Sequence, residues 1–157
     1  MNHIKIIDGV IVLGDYIKYI ALIKPILPIG VKNYLNLPFL FDISSEYCPH
    51  DSWLEYVKIS ENGHGARTEF RNTEINCRFK GSHHSGFFNI NYIGVLSYQI
   101  SIIENNADED KLPRGDWIID ELSIDENNGI ICHEIMFSTS GSWKIFFKDL
   151  TYEWEDI

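Results

Sequence analysis

Cysteine is scarce: Cys48, Cys77 and Cys132 are the only three in 157 residues, and no CxxC pair occurs. That argues against a disulfide framework or a zinc knuckle and fits reduced thiols in a cytosol. Long apolar runs are missing too. Nothing approaches the roughly 18 uncharged residues of a membrane span. Lys5, Asp8, Asp15, Lys18 and Lys24 interrupt the N-terminal apolar stretch that a secretory signal would need. A cytoplasmic protein without a membrane segment is expected. Neither GxGxxG nor GxxxxGK[ST] is present, so no glycine loop cradles a phosphate, and HExxH and GxSxG are absent as well. No solenoid-length repeat is visible. No cofactor and no catalytic residue are therefore assigned.

What the chain does have is strand signal. At 45% hydrophobic and 13% aromatic, it suits one globular domain over residues 1–157, with aromatics that strands accommodate well. His3–Asp8 and Val10–Leu13 read as short strands about Gly9. Asp15 is placed to cap a helix over Tyr16–Ile23, with Tyr16, Ile20 and Ile23 on one side and Pro25 ending it. Pro25, Pro28 and Pro38 disfavour a central strand in residues 24–41, whose apolar side chains then read as irregular wrapping on a sheet. Strands follow at Leu54–Ser60, Ala66–Arg71, Glu74–Lys80, Phe87–Asn91 and Gly94–Glu104. Residues 61–65 between the first two read as a hairpin loop by composition.

The closing stretch, residues 115–149, is the clearest. Three apolar runs are joined by an Asn128-Gly129 turn and a Gly141-centred reversal, with Tyr152 and Trp154 on a last edge strand. Simple alternation puts Ile118, Leu122 and Ile124 on one face with Asp120, and Trp117 and Ile119 on the other with Glu121. The predicted fold class is mainly β (β-rich α+β): an antiparallel curved sheet or sandwich with one or two short helices near the N-terminus. Exposed edge strands would leave homodimerisation easy.

Charge is lopsided. The net charge is −10, and residues 101–157 hold fourteen acidic against four basic side chains. A field of that sign repels nucleic acid and anionic membrane and steers a basic partner. Asp108, Glu109, Asp110, Asp116, Asp120, Glu121, Asp125 and Glu126 fall close together and form the candidate partner-binding surface. Trp117 and Trp143 nearby read as core. An alternative is a metal- or ligand-binding β-sheet protein, or a small enzyme, using His50, Asp51, His83, His84 and His133. That set has no diagnostic spacing, and neither does Cys48 two residues before His50.

The run His50-Asp51-Ser52-Trp53-Leu54 with Val57-Lys58-Ile59 resembles the opening of a group of small bacterial β proteins. Their closing strands are similar to Gly115-Asp116-Trp117-Ile118, His133-Glu134-Ile135, Phe137-Ser138, Gly141 and Ile145–Asp149. Proteins of this look are often immunity proteins of polymorphic-toxin or contact-dependent growth-inhibition systems. The resemblance covers residues 50–60 and 115–150 and brings no catalytic motif. It implies a non-enzymatic toxin inhibitor whose partner is a cognate toxin. A basic, nuclease-type toxin would complement the acidic surface.

Overall fold

The computed structural model describes residues 1–67, 69–101, 115–125, 127–138 and 141–157. In chain order the elements begin with β1 (Lys5–Ile7), β2 (Val10–Val12), α1 (Gly14–Ile23) and α2 (Ile29–Leu35). Then follow β3 (Trp53–His64), β4 (Phe70–Lys80), β5 (Gly86–Val95) and β6 (Ser97–Ser101). The chain closes with β7 (Trp117–Asp125), β8 (Ile130–Phe137), β9 (Ser142–Phe147) and β10 (Asp149–Asp156). β1 and β2 form a small hairpin. The others make two four-stranded antiparallel sheets, ordered β10-β5-β4-β3 and β6-β9-β8-β7. The fold is thus β-rich, with its two short α-helices near the N-terminus, as the pattern predicts.

Alternation builds the core. Ile75, Cys77 and Phe79 of β4 and Phe88, Ile90 and Tyr92 of β5 turn one face inward, and all six are fully buried. Trp143, Ile145 and Phe147 of β9 answer them from the second sheet. Rings interlock across the gap: Phe79 stacks on Phe88 and meets Trp117 edge-on, both at 5.0 Å, and Tyr92 meets Phe147 at the same distance. Each such side chain removed from water contributes about 1.5–3 kcal/mol. One continuous apolar cluster joins both sheets and both helices. Within it, Cys77 is held protonated by burial, which pushes its thiol up to about 12.

Asp15 does not cap α1: the N-cap is Leu13, and Asp15 sits in the first turn, bonded to Lys5. Four further local expectations change. Residues 24–41 contain α2, where Val31, Tyr34 and Leu35 are buried at helical spacing. Pro28 occupies the N-cap, where its missing N–H costs nothing. The β3–β4 ladder runs past residues 61–64 to a His64↔Phe70 pair, because backbone pairing continues where the side chains are solvated. The single strand expected over Gly94–Glu104 is, up to Ser101, two strands in two sheets, and residues 102–104 lie outside the described residues. Gly94 adopts φ +64, and the Leu96 N–H already bonds the Phe146 carbonyl of the second sheet.

The fourth change is a bulge at Ile118. Trp117 pairs with Phe137 but Ile119 with Met136, so one residue is extra and the alternation resets. Trp117 therefore faces inward with Asp120 and Leu122, while Ile119 and Glu121 share the opposite face.

Candidate functional site

The acids expected on one surface have different fates. Asp108, Glu109, Asp110 and Glu126 lie outside the described residues. Asp120 and Glu121 are only 5% and 0% exposed, so neither can contribute to a docking surface. The Glu121 carboxylate accepts the backbone N–H groups of Asn2, His3 and Ile4, each at 2.8 Å, and so straps the N-terminal segment across the outer face of the second sheet. Asp120 faces the core. Its carboxylate lies 2.9 Å from His133 Nε2 and accepts the Tyr34 hydroxyl and the Trp117 indole N–H, both at 3.3 Å. The far nitrogen of His133 meets the Tyr92 hydroxyl at 2.8 Å. Burial and the Asp120 charge both hold the Tyr34 hydroxyl well above its ordinary range.

Asp116 and Asp125 remain near the surface, at opposite ends of β7. Nine residues of strand separate them by roughly 30 Å, too far for one small patch. Asp125 moreover caps its own turn, accepting Asn127 N–H and Asn128 Nδ2.

Asp116 leads to a different site. The Asp51 N–H bonds the Trp117 carbonyl and the Trp117 N–H bonds the Ser52 carbonyl, each at 2.8 Å, so residues 51–52 extend the second sheet beside β7. This pairing sets Asp51 against Asp116. Burial first, and then the Asp51 charge, raise the Asp116 carboxyl above its usual value, with His50 opposing. Asp51 itself stands at φ +61 and reaches His50 Nδ1 at 3.1 Å. Asn and Asp tolerate this left-handed conformation better than most residues.

Beside this pair opens a groove of about 360 Å³. Its walls are the β1–β2 hairpin from Gly9 to Leu13, the strap residues Leu40, Phe41, Ile43, Cys48, Pro49 and His50, and Trp117–Asp120 of β7. Among the described residues the lining is largely apolar and contains no Lys or Arg. Val10 and Ile43 at its mouth are 63% and 72% exposed, and Phe41 is exposed as well. Four aspartates occupy chain positions directly beside the lining: Asp8 before Gly9, Asp42 between Phe41 and Ile43, Asp51 after His50, and Asp116 before Trp117. Cys48 is not set up as a nucleophile. Its Sγ donates to the Leu40 carbonyl, and burial raises its thiol.

The histidine alternative does not assemble. His133 is fully buried, His50 lines the groove, and His83 and His84 are exposed in the β4–β5 turn, where His84 packs on Trp53 at 4.5 Å. Among the described residues no three His, Cys, Asp or Glu side chains are placed to hold a metal ion.

The other broad surface, the outward face of the first sheet, is balanced rather than acidic. The row Lys58–Asn76–Asn91–Thr151 crosses all four strands. Arg78 in the next row is paired with Glu55 and Glu155. The groove is the more distinctive feature. Sequence reading singled out Asp116 and Asp51 but not Asp8, Asp42, Phe41 or Ile43. The signal available was the apolar excess of residues 39–43 around one aspartate. Compared with family models, curated proteins and solved structures, the chain matches none of them.

Proposed function

We propose that this protein is a non-catalytic immunity protein that binds and neutralises a toxin domain, most simply a nuclease with a basic cleft, and that the groove beside β7 is its contact surface. The observation that carries the reading is the combination found there: an apolar groove with an exposed rim, with Asp8, Asp42, Asp51 and Asp116 next in chain to its lining and, among the described residues, no Lys or Arg in that lining. Apolar anchors ringed by charge of one sign suit a protein partner of the opposite sign, with charge serving capture and apolar contact serving retention. The resemblance to immunity proteins adds weight, because its two segments, at residues 50–60 and 115–150, meet where residues 51–52 pair with Trp117. A cytoplasmic location belongs to this proposal. Among the described residues no helix is long and apolar enough to cross a membrane.

The test is functional. Immobilised protein is exposed to lysate of its native host at low salt, and polypeptides released by rising salt are identified and expressed alone. A captured basic polypeptide that arrests growth by itself, and ceases to do so when co-expressed with this protein, supports the proposal. Captured polypeptides that are harmless, or whose toxicity co-expression leaves intact, overturn it.

A further inference from the structure

The groove has the chemistry to receive one particular kind of group. Its walls are apolar and long enough to cover a methylene chain, while Asp51 and Asp116 directly follow and precede the lining residues His50 and Trp117 and are brought together by the bond from Asp51 N–H to the Trp117 carbonyl. The Asp116 carboxylate makes no hydrogen bond to another described residue. Beneath the wall lies Asp120, buried and bonded to Tyr34, Trp117 and His133. Carboxylates beside a low-dielectric wall attract a cation more strongly than the same charges in water. An anion would be repelled, and a purely apolar group would leave the acids partly desolvated without a partner.

Long basic side chains match both features at once, because they lay an apolar stem on apolar surface and keep the charged head at its edge. An arginine head adds planarity, which two neighbouring carboxylates can grip, and it can lie over the face of Phe41. Among the described residues no Lys or Arg lines the groove, and the partner is taken to supply the complement.

Resting on the immunity reading above, we infer that the groove is the socket for a single arginine-type side chain of the partner protein, its stem on Phe41, Ile43 and Ile118 and its guanidinium between Asp51 and Asp116. The socket would be an anchor point of the interface, and its chemistry names the partner's contribution: a cation on an apolar stem projecting from a basic surface.

The probe is benzamidine, an amidinium on an apolar ring, with benzamide as the neutral isostere. The readout is the Trp117 indole N–H resonance in ¹H–¹⁵N spectra of the full chain, assigned with a Trp117→Phe variant. Saturable movement with benzamidine and little with benzamide is expected. The affinity should fall about tenfold or more in the Asp51→Asn/Asp116→Asn double variant, the loss of roughly one charge interaction. Asn tolerates the backbone at position 51, and unchanged dispersion of the remaining resonances checks the fold. Should the double variant fail that check, Asp116→Asn alone is read in its place. No movement with benzamidine, equal movement with benzamide, or undiminished affinity in the folded variant each overturns the socket. Failure of the parent reading looks different. Benzamidine would still bind with charge dependence while no captured polypeptide showed toxicity that this protein relieves.

Discussion

At Glu121 three backbone N–H groups converge on one fully buried carboxylate. Charge-assisted bonds of this kind are the strong ones, and their donors cannot return to water while the strap is closed. Replacing Glu121 with Gln keeps one acceptor oxygen and turns an NH₂ group toward donors. Stability measured by urea denaturation should fall by about 2–3 kcal/mol, and hydrogen exchange at Asn2, His3 and Ile4 should rise. A loss below about 0.5 kcal/mol would mean that the strap is not held by this residue. Asp120 behaves alike: reversing the charge of either residue would unfold the protein rather than probe a surface. Sequence showed the acids of β7 but not their direction, since a carboxylate spent inside the fold and one facing solvent are written with the same letter. The extra residue at Ile118 then inverted the apparent faces of Trp117 and Ile118.

At the scale of elements, the two helices work as covers for strand edges. α1 places Tyr16 and Tyr19 so that their hydroxyls accept the free-edge N–H groups of Leu122 and Ile124 on β7, at 2.7 and 2.9 Å. An edge satisfied in this way no longer templates another strand. α2 sits against β10, the outer strand of the first sheet. A Cβ at Gly30 would come within 1.8 Å of the Leu150 carbonyl oxygen, so the helix can approach only through glycine. Gly30→Ala should therefore lower stability by about 1–3 kcal/mol or more despite the better helix propensity of alanine. An increase in thermal midpoint would show that α2 can shift away at no cost. The periodicity of Tyr16, Ile20 and Ile23 made α1 legible. α2 was hidden by Pro28 and Gly30, which discourage a helix in isolation and are tolerated only because β10 receives it.

For the whole molecule, charge and pH are the natural variables. The charged groups that the described residues set against Asp116 are Asp51 and His50. Because the Asp116 carboxyl is raised by burial and by Asp51, its folded form holds a proton at pH values where the unfolded chain has lost it. Its contribution to stability is present at low pH and declines as pH rises from the ordinary carboxylate range through the raised value. Cation binding has the opposite sign. Benzamidine affinity should increase over that same interval, because the bound cation favours the ionised acid, and the rise should be smaller in Asp116→Asn. A profile that is flat in the wild type, or identical in the variant, would remove Asp116 from the socket.

By itself the sequence determined the class of this protein: a strand-rich, acidic chain with the closing meander of β7, β8 and β9, a helix over residues 16–23 and an apolar core. Those properties follow from local periodicity, turn chemistry and composition, which act between near neighbours. Only the tertiary structure decided which sheet each strand joins, that β10 returns to lie beside β5, and that the chain changes sheets between Val95 and Ser97. It also decided that Asp120 and Glu121 are interior, while Asp51, about 65 residues away in sequence, stands against Asp116. These outcomes depend on contacts between distant segments, where one extra residue or one close backbone approach reverses a face, and no short-range pattern encodes them.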